Sequence, residues 1–264
     1  MHVAACYDFC NLLPKKHWNG GKETARKPSY GIDAPTVIRN FFVACAVCLV
    51  LALAVRSVTI AHVRLDFFPG FLYSAASLAV PGTLMLIYSL TGKFRHRDRI
   101  LAKVPWAGTE TVLDVGTGRG LLLIGAAKHL TTGHATGIDI WNAEDLSGNV
   151  PEAVLTNIAL EGVADKTTVK SEDARRMSFP DGSFDVVLSN LCLHNIYERP
   201  DRSRACHEIA RVLKSGSMAV ISDYKLMAEY KAEFLACGMK VEMFPLDWAR
   251  TFPPLRILVA HKAV

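Results

Sequence analysis

Short apolar runs alternate with longer helix-forming segments along the C-terminal part of the chain. The runs are rich in β-branched residues and bounded by turn-forming residues, a pattern that predicts strands. We predict strands at 111–115, 134–139, 167–171, 184–189, 217–222, 239–244 and 255–261, and helices at 121–130, 151–162 and 226–237, with another ending at 208–216. Predicted helices lie between most of these strands but not between the last two, so the pattern predicts an α/β fold with a doubly wound sheet.

Two long apolar runs dominate the N-terminal part of the chain. Residues 40–55 carry no charge, and extending the run past Arg56 gives about 20 residues, enough to cross a bilayer once. Residues 67–92 are also uncharged, with tyrosines that suit a membrane interface. Two Pro-Gly pairs interrupt this second run, so we expect a kinked or re-entrant helix as readily as a straight one. The runs predict a membrane-associated helical hairpin.

The distribution of charge predicts how this hairpin is oriented. The chain has a net charge of +5; residues 1–110 hold 13 basic and 6 acidic residues, whereas residues 111–264 hold 17 and 19. The basic excess therefore flanks the apolar runs, as expected for a hairpin with both ends on the cytoplasmic side of a membrane. Nucleic-acid binding, the rival explanation, does not suit a slightly acidic C-terminal part. The flanking basic residues are Lys15, Lys16, Lys22, Arg26, Lys27, Arg39, Lys93, Arg95, Arg97, Arg99 and Lys103.

These patterns divide the chain into four parts. We predict a basic tail at 1–35, the hairpin at 36–92, a basic linker at 93–109 and a catalytic domain at 110–264. Three other interpretations of the apolar runs stay open: a buried hairpin packed on the catalytic core, a dimer interface, and a hairpin embedded in one leaflet. The seven cysteines are scattered without zinc spacing, so we expect a reducing compartment and no metal site.

A glycine-rich turn follows the first strand of the predicted sheet. Its sequence is Asp114-Val115-Gly116-Thr117-Gly118-Arg119-Gly120, with glycine at every second position. Glycine lets the backbone turn sharply and approach a ligand where a Cβ would intrude. A dinucleotide-binding turn needs G-x-G-x-x-G, and here the third glycine comes one residue early. The alternative is a glycine-rich turn that binds no ligand.

This D-x-G-x-G-x-G turn resembles motif I of the class I methyltransferases that use S-adenosylmethionine (SAM). Residues 208–216 are similar to a second segment of that family, E-x-x-R-V-L-K-P-G-G, although Ser215 and Ser217 depart from its proline and second glycine. The resemblance covers residues 105–264. It implies a Rossmann-like seven-stranded sheet, SAM as the cofactor and S-adenosylhomocysteine (SAH) as its product.

The resemblance also implies which residues bind the cofactor. Asp114 would receive its amino group, and Asp173, followed by the small Ala174, would hold the adenine. Spacing alone selects Asp139, because an acid about 20 residues beyond the turn can meet ribose hydroxyls in a βαβ unit; a solvated strand-end acid is the alternative. The remaining residues expected around the cofactor are Gly116, Thr117, Gly118, Gly120, Ile140, Asn190 and Leu191.

The loop after the fourth strand is expected to face the transferred methyl group. His194 is our candidate general base, because its reference pKa lies near working pH; a histidine that only shapes the pocket is equally compatible. Tyr197 and Tyr224 are candidates for orienting the acceptor. Asp223 could hold an amine or hydroxyl of the acceptor, but we expect a solvated strand-end acid there.

Tethering to a membrane would favour acceptors dissolved in the bilayer. We therefore expect a membrane-anchored methyltransferase of a lipophilic small molecule or lipid, with its catalytic domain facing the cytoplasm. Two alternatives remain: a protein methyltransferase acting on a membrane partner, and a non-catalytic SAM-binding scaffold.

Overall fold

The computed structural model describes residues 27–264. Most of the predicted basic tail, including Lys15, Lys16, Lys22 and Arg26, lies outside these residues. The elements of the N-terminal part are α1 (Pro35–Ala54), β1 (Ser57–Ile60), β2 (Val63–Asp66), α2 (Phe68–Ile87), a π-helical turn (Tyr88–Gly92) and α3 (Lys93–Leu101).

The C-terminal part alternates strands and helices as its apolar pattern predicts. Its strands are β3 (Thr111–Val115), β4 (His134–Asp139), β5 (Thr167–Ser171), β6 (Phe184–Asn190), β7 (Leu213–Asp223), β8 (Lys240–Met243) and β9 (Arg256–His261). Its helices are α4 (Leu121–Ala127), α5 (Pro151–Leu160), α6 (Arg199–Val212) and α7 (Met227–Ala236). The seven strands form one sheet in the order β5-β4-β3-β6-β7-β9-β8.

The sheet is parallel from β5 to β7, and β9 then runs antiparallel to both of its neighbours. Apolar side chains cover both of its faces. On one face Ile100 of α3 packs with residues of α4 and α5, and on the other Tyr230 and Phe234 of α7 pack with residues of α6. The carboxyl ends of the parallel strands therefore meet along one edge between two helical layers, where ligands of such sheets bind.

Helices α1 and α2 pack against each other as an antiparallel pair. The short hairpin β1–β2 joins the C-terminal end of α1 to the N-terminal end of α2. Gly82 of α2 lies against Phe41 of α1, where an added Cβ would be 3.1 Å from the Phe41 Cβ. Elsewhere the pair exposes large apolar side chains, such as Leu53 (71% exposed) and Tyr73 (77% exposed). Both α1 and the continuous helical stretch Phe68–Leu101 are long and apolar enough to cross a membrane.

The structure departs from the sequence predictions in several places. The segment expected to be a linker contains α3, because Ile100 and Leu101 supply an apolar face that is buried on the sheet. Of the alternatives left open for the second apolar run, the structure has a helix that continues through Pro81. Strand β7 begins at Leu213, four residues before the predicted start, since its first residue already pairs with Phe184 of β6.

Candidate functional site

The glycine-rich turn leaves the end of β3 in a conformation that favours glycine. Gly116, Gly118 and Gly120 have φ values of 75°, 54° and 86°. Side chains approach them closely from other segments. A Cβ at Gly116 would lie 2.3 Å from the Cys192 sulfur, and one at Gly118 would lie 2.9 Å from a methyl carbon of Leu146. The turn therefore requires glycine both for its backbone angles and for the space around it.

Asp114 lies at the base of this turn with its side chain buried. One carboxyl oxygen, Oδ2, accepts hydrogen bonds from the Thr117 hydroxyl at 2.8 Å and from the Leu123 amide at 2.9 Å. The other oxygen, Oδ1, is buried without a hydrogen-bond partner among the described residues. Burial raises the pKa of Asp114 to about 7. An unpaired buried carboxyl oxygen is costly, so this position is suited to receive a cationic ligand group.

Asp139 is held at the end of β4 by backbone and side-chain donors. Its Oδ2 accepts a hydrogen bond from the Gly118 amide at 2.7 Å. Its Oδ1 accepts one from the Trp141 amide at 2.7 Å and another from the Asn149 side chain at 3.3 Å. The alternative of a freely solvated acid is therefore wrong: Asp139 is buried and directly connected to the glycine-rich turn.

Asp173, which is expected to bind the adenine, lies nearer the protein surface than Asp114 and Asp139. Asp173 forms a two-pronged ion pair with Arg175, which also contacts Asp201 at 2.7 Å. The Arg175 guanidinium holds the pKa of Asp173 below its usual range. Ala174 is buried behind it, whereas Ile140 is 67% exposed and leaves an apolar surface beside Asp139.

The loop after β6 closes the other side of the turn. The Oδ1 of Asn190 is buried without a partner among the described residues. Leu191 has a φ of 53°, and its amide donates a hydrogen bond to the Ser222 carbonyl, which ties the loop to β7. The Cys192 side chain packs on Gly116, and burial raises the pKa of its thiol, so it remains a neutral, space-filling group.

His194 and Asp223 form a polar pair at the ends of β6 and β7. The His194 Nδ1 lies 2.9 Å and 3.0 Å from the two carboxyl oxygens of Asp223. The Tyr224 ring stands edge-on to the imidazole, with centroids 4.8 Å apart. The structure does not bring Tyr197 into this group, because that side chain is 80% exposed.

Asp223 was expected to be solvated, and that prediction is wrong. Its side chain is buried and also accepts a hydrogen bond from the Tyr224 amide at 2.8 Å. A signal for the pairing was present in the sequence. Asp223 ends β7 and His194 follows β6, and the ends of neighbouring parallel strands lie at the same edge of a sheet.

His96 is a buried residue of this region that sequence reasoning missed. It lies in α3, within the segment interpreted as a linker, and its Nε2 is 2.7 Å from the Ser222 hydroxyl. Its Nδ1 is buried without a hydrogen-bond partner among the described residues. His96 lines a cavity of about 360 Å³ between α3 and the connection from β8 to β9; the other lining residues are Arg99, Ala102, Lys103, Phe244, Pro245, Leu246, Asp247, Leu255 and Ile257.

The charged groups around this cavity already have partners. Arg99 pairs with Asp247, and the Lys103 ammonium lies 3.4 Å from the centre of the Phe244 ring. The remaining wall is largely apolar. The cavity wall therefore combines His96 and these paired charged groups with apolar side chains.

Comparison with known sequences gives a match for the centre of the C-terminal part. Residues 113–221 match the methyltransferase domain family. A demethylmenaquinone methyltransferase of Lactiplantibacillus plantarum is 31% identical over 131 residues, which cover 49% of this chain and 52% of the relative. A 2-methyl-6-phytyl-1,4-hydroquinone methyltransferase of Synechocystis is 33% identical over 138 residues, or 48% of this chain and 38% of the relative. The chain thus spans about half the length of the curated relatives it matches, or less.

Among solved structures, the chain is similar to a phosphoethanolamine N-methyltransferase of Haemonchus contortus in complex with SAH. The TM-score is 0.53 and the identity is 17%, with 64% of this chain and 53% of that chain covered. At this identity the likeness establishes the fold alone. The seven-stranded sheet with flanking helices is the Rossmann-like methyltransferase fold.

Proposed function

We propose that this chain is a methyltransferase that takes its methyl group from SAM and transfers it to a lipophilic acceptor at a membrane. The cofactor assignment rests first on Asp114, whose buried Oδ1 stands beside the glycine-rich turn and has no hydrogen-bond partner within residues 27–264. A carboxyl oxygen in this state matches the ammonium group of the cofactor's methionine portion. The match of residues 113–221 to the methyltransferase domain family supports the same assignment.

The other residues around the turn are compatible with this cofactor. Gly116, Thr117 and Gly118 present backbone to the methionine portion, with Gly120 setting the angle at which α4 begins. Asp139 would accept hydrogen bonds from the ribose hydroxyls, since a carboxylate has more acceptor sites than its present donors occupy. Ile140 and Leu191 would pack on the ribose and adenine.

Asp173 and Asn190 would also contact the cofactor. Asp173 would hold the adenine amino group through an oxygen that it now shares with Arg175, so we propose that Arg175 sets how strongly this acid binds. Ala174 leaves room for the ring beside it. Asn190 would accept a hydrogen bond from the ligand at its Oδ1, which has no partner in the part of the chain that the structure describes.

Bound SAM would supply an electrophilic methyl group on a positively charged sulfur. The protein then has to position the acceptor and exclude water. We propose that His194 removes a proton from an acceptor that carries a hydroxyl or an acidic carbon. Asp223 would hold the His194 Nδ1 proton, which leaves Nε2 as the basic nitrogen and keeps the ring in one orientation. Tyr224 is placed beside this ring to orient the acceptor.

A lipophilic acceptor is supported by the cavity and by the helical pair beside it. Apolar side chains line part of the cavity, and its wall α3 directly continues the helix α2 through the π-helical turn. An acceptor dissolved in a bilayer would therefore reach the cavity along the exposed apolar surface of the pair. His194, Asp223 and Tyr224 are not among the lining residues, so the acceptor would have to extend from the cavity to reach them. The names of the relatives agree with this proposal, since their substrates include a demethylated menaquinone and a hydroquinone with a phytyl chain.

We propose that α1 and α2 anchor the chain in a membrane with the catalytic domain on the cytoplasmic side. The pair is not buried on the catalytic core, as Leu53 and Tyr73 illustrate. Such exposed apolar area suits contact with lipid. Arg39, Arg95 and Arg97 lie near the ends that join the catalytic domain, as the positive-inside rule requires for a cytoplasmic location.

Two other functions would use the same fold. A protein methyltransferase acting on a membrane partner needs a surface that grips a polypeptide. A scaffold that binds SAM without catalysis has no use for the His194–Asp223 pair. The pair therefore favours catalysis, and the size of the cavity, about 360 Å³, favours a small acceptor.

Calorimetric titration with SAH tests the cofactor assignment without knowledge of the acceptor. We expect SAH to bind the full chain in detergent. Asp114→Asn should weaken binding at least roughly tenfold, because an amide cannot neutralise the ammonium group. Asp165→Asn, which changes an exposed acid after α5, is the matched control and should leave the affinity unchanged. Failure of the wild-type chain to bind SAH would overturn the proposal.

A further inference from the structure

A short segment before α1 lies across the loop that follows β4. Residues 29–34, here called the strap, run beside residues 145–147 in an antiparallel arrangement. The Ala34 amide donates to the Asp145 carbonyl at 2.9 Å, and the Ser147 amide donates to the Ile32 carbonyl at 3.0 Å. The Ile32 amide also donates to the Ser147 hydroxyl at 2.7 Å. The strap is thus bound to this loop by backbone hydrogen bonds.

The loop beneath the strap contacts the residues that we assign to the cofactor. Leu146 packs on Gly118 of the glycine-rich turn. Asn149 donates a hydrogen bond to Asp139 at 3.3 Å, and the Arg119 guanidinium donates one to the Ser147 carbonyl at 3.2 Å. Any displacement of the loop would therefore move the side chains around Gly118 and Asp139.

The strap is fastened in turn to the end of the helical pair. The Lys93 ammonium, at the start of α3, donates to the carbonyl oxygens of Tyr30 at 2.7 Å and Gly31 at 2.6 Å. It also lies 3.6 Å from a carboxyl oxygen of Asp33. Ser89, in the π-helical turn, donates its hydroxyl hydrogen to that carboxylate at 3.0 Å and accepts one from the Asp33 amide at 3.1 Å.

These contacts make the strap and the end of the helical pair depend on each other. Lys93 is buried, and a buried ammonium is stable only where acceptors surround it. Among the described residues, the acceptors of the hydrogen bonds from the Lys93 ammonium all belong to the strap. The strap also runs directly into α1 at Pro35, so both helices of the pair meet it where they join the catalytic domain.

We propose that the strap braces the cofactor site and that Lys93, Ser89 and Asp33 are positioning residues that hold it. Cofactor affinity then depends on the end of the helical pair, although these three residues need not touch the cofactor. The inference rests on the proposed function only for the identity of the ligand, SAM. The predicted connection runs from the helical pair through the strap and residues 145–149 to Gly118 and Asp139.

The first test replaces Lys93 in the full chain. We expect Lys93→Met to weaken SAH binding at least roughly tenfold, since it removes charge-assisted hydrogen bonds that fix the strap. Hydrogen exchange of the amides of Ala34 and Ser147 should also become faster, because their bonds join the strap to the loop. Arg95→Met is the matched control. It removes a cation from an exposed position of the same helix and should change neither measurement.

The second test displaces the strap without changing charge. Gly31 has a φ of 69°, and a Cβ there would lie 2.8 Å from the Ser147 carbonyl oxygen. Gly31→Ala should therefore lift the strap from the loop and weaken SAH binding. Gly238→Ala is its matched control, because Gly238 has a φ of 75° with nothing within 4 Å of an added Cβ. That variant carries a similar backbone strain far from the strap.

The outcomes separate this inference from the proposed function. Weaker SAH binding and faster exchange in both strap variants, with both controls unchanged, would support the brace. Unchanged SAH affinity in Lys93→Met and Gly31→Ala would overturn it, even if SAH binds the wild-type chain. If the wild-type chain does not bind SAH, the proposed function fails, and exchange at Ala34 and Ser147 alone then decides whether Lys93 holds the strap. Loss of folding would show as faster exchange in the β3 amides as well.

Discussion

Asp114 shows how a single buried carboxyl group can specify a ligand. Its Oδ2 is occupied by Thr117 and Leu123, and its Oδ1 has no partner among the described residues. Burial raises the pKa of Asp114 to about 7, so its carboxyl group is readily protonated near neutral pH. Binding of a cation would reverse this tendency, because a nearby positive charge favours the carboxylate.

This pKa predicts how SAH binding depends on pH. Below about pH 7 Asp114 is protonated in the free protein and cannot form an ion pair, so the affinity should fall by up to about tenfold per unit as pH decreases. The affinity should level off as the pH rises past about 7, where the carboxylate is already formed. Calorimetric titrations from about pH 5.5 to about pH 7.5 measure this dependence.

Asp114→Asn provides the comparison for the pH series. The variant has no titrating group at this position, and its weaker affinity should stay nearly constant over the same range. A wild-type affinity that is independent of pH would contradict the assignment of Asp114 to the amino group of the cofactor.

The His194–Asp223 pair makes a separate prediction for catalysis. His194→Gln should lower kcat by roughly 10²-fold or more if the acceptor must lose a proton, while the SAH affinity stays unchanged. Asp223→Asn should have a similar though smaller effect, because an amide can stabilise the wrong imidazole tautomer. The measurement is initial rate with the acceptor recovered from a membrane extract.

His207→Gln is the control for this pair. His207 is an exposed histidine of α6 that lies 3.4 Å from Glu233. If kcat is unaffected in His194→Gln, the acceptor atom needs no general base, and His194 only shapes the pocket.

At the scale of elements, the packing of α1 on α2 depends on one small residue. Gly82→Leu would place a side chain where the Phe41 Cβ lies 3.1 Å from an added Cβ. The two helices would have to separate, at a cost of about 1–3 kcal/mol typical of overpacking. We expect a lower unfolding temperature in detergent, measured by the loss of helical circular dichroism.

Gly70→Leu is the matched substitution near the other end of α2. An added Cβ there meets nothing within 4 Å, so the unfolding temperature should not fall. Equal effects of the two substitutions would show that Gly82 is not a packing contact.

The strands and helices of the C-terminal part could be predicted from sequence because their signals are local. Thr111–Val115 and His134–Asp139 are bounded as their apolar patterns indicate. α3 could not be found in this way, since its sequence is strongly basic and its helical structure depends on burying Ile100 against the sheet. Tertiary packing there outweighs local composition.

The candidate site was partly predictable for the same reason. Asp114, Asp139 and the glycines belong to a compact motif at fixed spacing. Other contacts join residues that are far apart in the chain. His194 and Asp223 are separated by 29 positions, and Lys93 and Tyr30 of the strap by 63. Their pairing is set by strand order and helix packing, which a single sequence does not specify.

At the scale of the whole molecule, the helical pair contacts the catalytic domain near the edge of the sheet where the parallel strands end. Ser89 and Lys93 contact the strap, and His96 contacts Ser222 at the end of β7. A bilayer around α1 and α2 would therefore lie beside the proposed acceptor cavity. This arrangement explains why an enzyme for a lipophilic acceptor would carry such a pair.

Vesicle flotation tests whether the exposed apolar surface contacts lipid. The full chain should float with vesicles that contain anionic lipid and should resist extraction by alkaline carbonate. Replacing Val43 and Val47 together by arginine should reduce retention strongly, because both lie near the middle of α1 and each arginine at the centre of a membrane helix costs about 2.5–3.5 kcal/mol. Both residues are exposed on α1.

Leu235→Arg is the control for the flotation experiment. Leu235 is an exposed leucine of α7 on the catalytic domain, so its replacement should leave retention unchanged. Full retention of the Val43 and Val47 double variant would indicate that α1 does not enter the bilayer.

The most direct test of the central claim follows the methyl group itself. The detergent-purified chain is incubated with methyl-labelled SAM and a whole-cell extract, and the products are separated into organic, aqueous and protein fractions, with Asp114→Asn as the blank. We predict label in the organic fraction that is absent from the variant. Label confined to the aqueous or protein fraction, or equal organic label with the variant, would contradict a SAM-dependent methyltransferase of a lipophilic acceptor.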